Sequence, residues 1–230
     1  MKEIRNIFIE SCNKIADLLQ DKHFNAIQKG QILKKKSKNK DIVYEIVFQS
    51  SFRNTNSYIS ILPHINVYSK QLKEWIIEQT NNSYSSGIVV AEHLGNITPY
   101  KTLKSWNLAG FSREKYIEEI AELLNNYALP IFDLFEEKTS VIDFLAVNGQ
   151  QFNKYVDDSL RPLGFMIRFA PKEKAEQFFN QFINHCKFKR KIIELYKSLE
   201  NSENIDFNYS EFMYASDIKL AYINKLKIIK

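Results

Sequence analysis

Residues 3–20 carry Ile4, Ile7, Phe8, Ile15, Leu18 and Leu19 at mostly three- and four-residue intervals, a period that predicts an amphipathic first helix with one apolar stripe. From Phe24 onward the period falls to two. Ile42, Tyr44, Ile46 and Phe48 alternate with other residues, and Ile59, Ile61, Ile65 and Val67 continue the pattern beyond the polar stretch 52–57. Two half-buried strands joined as an antiparallel hairpin are therefore expected. A turn centred between Asn54 and Thr55 pairs Phe48 with Ile61 and Tyr44 with Ile65, and sets Glu45 opposite His64 on the other face. Residues 27–35, turning at 36–40, and residues 87–94 supply further strands, giving a sheet of about four.

Helical spacing governs the rest. Residues 72–79 form a short helix; Ser112 N-caps a longer one over 113–127, which turns Ile117, Ile120, Ala121 and Leu124 inward and is ended by Pro130. Pro171 starts a helix from Lys172 whose apolar face runs through Phe178, Phe182 and Cys186 to Ile193 and Tyr196. After a connector at 201–208, a last helix from about 210 to the C-terminal lysines Lys225, Lys227 and Lys230 carries Phe212, Ile218, Tyr222, Leu226 and Ile229. The run 163–167 reads as a short strand. The fold class expected is α+β, an antiparallel sheet packed with helices over 1–138, followed by a mainly helical region at 139–230 that either packs on the first as one unit or stands apart.

The first half also carries a resemblance. Phe24 with the basic run before Asp41, the stretch Ile46-Val47-Phe48-Gln49-Ser50-Ser51, the strand at 61–67 and the helix ending Tyr127-Ala128-Leu129-Pro130-Ile131-Phe132-Asp133 together resemble an uncharacterised family of bacterial α+β proteins, a domain of unknown function, over about residues 1–145. The resemblance implies an α+β fold and a bacterial source, and brings no catalytic residue or cofactor with it.

Composition narrows the function classes. Six glycines and five prolines among 230 residues leave little material for a glycine-lined cofactor site, and neither GxGxxG nor GxxxxGK[ST] occurs, so no cofactor is expected. Cys12 and Cys186 form no CxxC pair, which fits a reducing compartment. Charges interrupt the N-terminal stripe, as they do every apolar run, so neither a signal peptide nor integral membrane association is expected, and the location expected is the cytoplasm. A net charge of +5 admits an acidic partner.

Two constellations carry candidate chemistry. Glu45 and His64, with His93 from the strand at 87–94, share the polar face of the sheet; imidazole beside carboxylate can transfer a proton. The four histidines show neither HxH nor HxxxH spacing, so no metal is expected. Lys34, Lys35 and Lys36, in a hairpin loop, and Lys187, Lys189, Arg190 and Lys191, on a helix around Phe188, are candidate phosphate contacts. Cys186 lies on an apolar stripe and reads as a structural thiol, and no GxSxG elbow is present. The reading these observations favour is a non-enzymatic protein that binds another macromolecule, most readily a protein, in an adaptor or immunity-type role. A nucleic-acid-binding module built on the lysine clusters is the alternative, and a hydrolase or metal-dependent enzyme at the Glu45, His64 and His93 face is a second.

Overall fold

The computed structural model describes residues 2–81, 83, 85–202, 205–207, 210 and 212–229. The chain divides into two compact units, residues 1–67 with 90–136, and residues 68–89 with 137–230. The excursion 68–89 thus leaves the sheet half of the chain and belongs with the helical half.

The first unit opens with α1 (Lys2–Leu18) and continues into β1 (Asn25–Ile27), β2 (Ile32–Lys36) and β3 (Ile42–Ser50). β4 (Ser60–Ser69) and β5 (Ile88–His93) run across its boundary, and β6 (Trp106–Asn107) closes the set. The sheet is antiparallel where its pairs are defined, in the order β1-β2-β3-β4-β5 with β6 also on β4, so it has six strands and not about four. The two additions are the short pieces β1 and β6, too brief for any periodicity to show in the sequence.

Alternation decides which face of the sheet is buried. Tyr44, Ile46, Phe48, Ile61, Ile65 and Val67 are all buried, as their period of two requires. α1 covers part of this unit, but through Phe8, Cys12, Ile15 and Leu19; Leu18, expected on the stripe, is exposed. A helix turns about 100° per residue, so Leu18 and Leu19 cannot both face inward along a narrow stripe. α3 (Arg113–Leu123) packs against α1 and buries Ile117, Ile120 and Ala121, although Ser112 makes no side-chain cap bond. Pro130 does not end this helix. The chain widens into a single π turn at Leu124–Ala128 and goes on as α4 (Leu129–Leu134) with Pro130 in its first turn. The missing N–H and the ring of proline rule out an ordinary i→i−4 bond there, and the wider turn absorbs the mismatch. α4 then lays Phe132 on Tyr44 of β3, ring centroids 5.1 Å apart.

The second unit contains α2 (Lys70–Thr80), α5 (Lys138–Asn148), α6 (Leu163–Phe169), α7 (Lys172–His185), α8 (Lys189–Leu199) and α9 (Ala215–Ile223). Ser69 caps α2 by accepting from the Leu72 amide at 3.0 Å. Gly87, at φ +67°, sits where an added Cβ would lie 2.4 Å from the Ser69 carbonyl oxygen, so only glycine fits. The apolar run 163–167, expected as a strand, is helical in α6, where Leu163, Gly164, Phe165 and Met166 are all buried. Burial on every side removes the periodicity that separates a short buried helix from a strand. The long helix expected from Lys172 is two: Cys186 leaves α7 in an extended conformation before α8 begins at Lys189. The last helix spans only Ala215–Ile223, after which Leu226–Ile229 run without helical structure. Glu203, Asn204 and Asn208 of the expected connector, and the terminal Lys230, lie outside the described residues. No helix among the described residues is long and apolar enough to cross a membrane.

Candidate functional site

On the polar face of the sheet the two expected histidines meet, the His64 and His93 ring centroids being 4.2 Å apart. Glu45 is engaged elsewhere, in an ion pair of 2.7 Å with Lys34 of the neighbouring strand β2, its direct cross-strand partner. Gln49 takes the expected place of Glu45, its Oε1 lying 2.8 Å from His64 Nε2. A bridge between Thr55 and Tyr58 centres the turn on Asn56 and Ser57, two residues beyond the expected centre. Such an even displacement keeps the apolar faces matched while moving a different polar residue beside His64.

Burial holds both imidazoles below their ordinary value of 6.5, and for His64 the neighbouring His93 adds to the effect. The two rings are therefore neutral at pH 7, and His93 Nδ1 is enclosed with no hydrogen-bond partner among the described residues. No group of three or more His, Cys, Asp or Glu among the described residues could hold a metal ion. Because the folded-state pKa values are depressed, the unfolded chain takes up protons first as the pH falls through 6.5. The stability these rings allow is complete above that pH and is lost between it and the lower folded values. Thermal melts from pH 7.5 to 5 should show a falling midpoint, and the His64→Gln, His93→Gln double variant should flatten this arm; an unchanged slope in the variant would remove the pair from the explanation.

The lysine clusters lie in different units. Lys34, Lys35 and Lys36 belong to strand β2, with the turn itself at 37–41. The pleat sends Lys34 and Lys36 to one face and Lys35 to the other, where its Nζ stands 5.9 Å from the Phe24 ring centroid. With Lys34 committed to Glu45, this stretch does not present three parallel cations. In the second unit, Lys189, Arg190 and Lys191 occupy the first turn of α8 and Lys187 the bend before it. Cations at this end of a helix oppose its dipole. Arg190 is tied to Glu194 at 2.7 Å and Lys189 to Asn184 at 2.9 Å. Cys186 is half-buried, and burial raises its pKa, so it stays a thiol.

A different feature dominates the second unit. Between α8 and the segment after α9 runs a groove of about 1180 Å³. Ile193, Tyr196, Tyr222, Ile228 and Ile229 form its apolar walls, and Lys189, Lys197, Lys225 and Lys227, with Glu200 as the one acid among the described residues that line it, form its charged margin. One wall exists because the chain reverses after α9. Lys225 adopts a left-handed φ of 55°, the Leu226 amide donates to the Ala221 carbonyl at 3.0 Å, and Leu226 is buried. α7 then holds the extended segment through two side chains, Asn180 and Glu176. Asn180 Nδ2 donates to the Lys227 carbonyl at 2.8 Å, and its Oδ1 accepts from the Ile229 amide at 2.7 Å. Glu176 Oε1 accepts from the Lys227 amide at 3.0 Å, and the Tyr196 hydroxyl donates to the Leu226 carbonyl. Burial, with Tyr222 and two nearby acids, pushes Tyr196 up to about 12, so it remains a donor.

A single helix from about 210 to the C-terminal lysines, as helical spacing predicts, leaves no room for this groove. The signal that reveals it is local: Lys225, Leu226, Lys227 and Ile228 alternate with period two, a strand pattern at odds with a continuing helix. Comparison with protein-family models, curated proteins and solved structures gives no match. Function must therefore be argued from these sites.

Proposed function

We propose that this protein is a non-catalytic binding protein that receives an acidic, amphipathic helical segment of a partner protein in the groove beside α8. The observation that carries the reading is the groove's composition among the described residues, apolar walls margined by four lysines and one glutamate. Apolar walls favour one face of an amphipathic helix, and the lysine margin favours acidic residues flanking that face. A nucleic acid is less well served, since the two aromatic rings in the walls, Tyr196 and Tyr222, pack edge to face on each other at 5.3 Å and leave no pair of parallel stacking surfaces. An adaptor or immunity-type role in a bacterial cytoplasm is the setting that fits, on the strength of the sequence resemblance.

The test is selection from a displayed library of random peptides on the full chain. Enriched binders should combine acidic residues with apolar residues at three- and four-residue spacing. Ile193→Asp should weaken them about a hundredfold, because it sets a carboxylate against an apolar wall. Lys197→Glu with Lys227→Glu should weaken them by about tenfold or more, and lysine in place of the peptide's acids should restore affinity to that variant. Binders indifferent to both changes would overturn the reading. So would binding of a fluorescent fatty acid or a single-stranded oligonucleotide that Ile193→Asp abolishes while no peptide binds.

A further inference from the structure

We propose that the second unit holds a separate binding site for a small zwitterion of the amino-acid type, carrying an ammonium and a carboxylate on an apolar stem. The site is a cavity of about 380 Å³ bounded by α2, residues 85–88, residues 159–164 and the start of α9. Its volume lies within the range of small-molecule pockets. Leu72, Ile76, Ile88 and Leu220 give it an apolar floor, and Arg161, Tyr214 and Asp217 bring polar groups to it.

Asp217 is the third residue of α9 and lines the cavity. The residue is only partly buried, and it borders the cavity. Among the described residues no donor meets its carboxylate in a hydrogen bond or contact ion pair, and Arg161 acts on it through space. Burial pushes this carboxyl up to about 7, against the opposing pull of Arg161. A carboxyl in that position gains most from a cationic donor brought by a ligand, which would restore its ordinary ionised form. Arg161 supplies the complementary half. It is exposed, its backbone amide is fixed by donating to Ser159 Oγ at 3.2 Å, and no carboxylate among the described residues pairs with its guanidinium. A planar guanidinium with no carboxylate in contact among the described residues is suited to a ligand's carboxylate. A simple amine would leave Arg161 unused, and a simple acid would meet Asp217; a zwitterion satisfies both.

The remaining walls define a shape. Tyr214 is held by Phe182, edge to face at 5.0 Å, so its position is set by packing. Gly164 of α6 lies flush with the floor, since a Cβ there would stand 3.5 Å from Leu220 and 3.6 Å from Ile76 and Leu72. A larger side chain at 164 would occupy the cavity.

The experiment is a methyl NMR titration of the full chain, following Ile76 and Ile88. Leucine, phenylalanine and aminohexanoate are added, with isopentylamine and isocaproate as single-charge controls. At least one zwitterion should shift both methyls and bind about tenfold more tightly than the control lacking either charge. Asp217→Asn should abolish the preference for the zwitterion over the acid, Arg161→Gln the preference over the amine, and Gly164→Leu all binding. If no zwitterion shifts these methyls, or if Asp217→Asn leaves the ranking unchanged, the proposal is overturned. The groove beside α8 has different walls and its own readout, so neither result bears on the other.

Discussion

Asp217→Asn is expected to stabilise the protein at pH 8 by about 2 kcal/mol and to have little effect near pH 4. The sign follows from the direction of the shift. Burial raises the carboxyl from its ordinary 3.8 to about 7, so between these values the folded chain holds a proton that the unfolded chain has released. Stability therefore falls as the pH rises through that window and is flat above it. At about 1.4 kcal/mol per pH unit the full effect would approach roughly 4 kcal/mol, and access from the cavity reduces it. Asparagine keeps the shape without the charge. Urea titrations at pH 5 and pH 8 measure the difference: the variant should gain at pH 8 and converge with the parent on acidification. Equal losses at both pH values would mean that the carboxylate is well solvated or paired. Such a gain is the expected cost of retaining a charged group for binding.

Asn180→Ala should be the most damaging single change to the groove, costing about 2–3 kcal/mol. Asn180 is buried and makes three hydrogen bonds, to the Glu176 carbonyl of its own helix and to the backbone of Lys227 and Ile229. Removing it strands a carbonyl and an amide that have no other helix or strand to join. The free energy of docking the segment bounds the loss, because Leu226–Ile229 can leave α7 and be hydrated while α7 itself persists. Amide hydrogen exchange is the direct readout. Lys227 and Ile229 should lose protection in the variant while Phe178, Phe179 and Phe182 keep theirs, and peptide binding in the groove should disappear with it. Protection retained at Ile229 would show that Glu176 and Tyr196 suffice to hold the segment. Asn180→Asp separates the contributions, since it keeps the acceptor for Ile229 but turns a carboxylate oxygen toward two carbonyls.

Legibility varied with the kind of information each element needs. The strand pattern around Tyr44 and Ile61 was plain because one buried face imposes a strict period of two. The turn joining those strands was not, because two centres two residues apart satisfy the same period; the local bridge between Thr55 and Tyr58 chose between them. His64 and His93 could be assigned to a shared polar face, but pairing Glu45 with His64 required knowing that Lys34 would lie across from Glu45 in the adjacent strand. Cys186 illustrates the limit for helices. Its place in the apolar spacing of α7 suggests continuity into α8, yet the chain bends there and the helix restarts three residues later.

By itself, then, the sequence determined the α+β class, the buried faces of the long strands and most helix cores, since each depends on periodicity within one element. Tertiary structure alone decided both binding features. The groove requires Leu226–Ile229 to fold back on α7, and the cavity brings together α2, α6 and α9, the first and last of which lie more than a hundred positions apart. Hydrophobic burial is non-directional and shows in any window, whereas convergence of Asn180 on a distant backbone, or of Arg161 and Asp217 on one cavity, depends on long-range packing that no local spacing encodes.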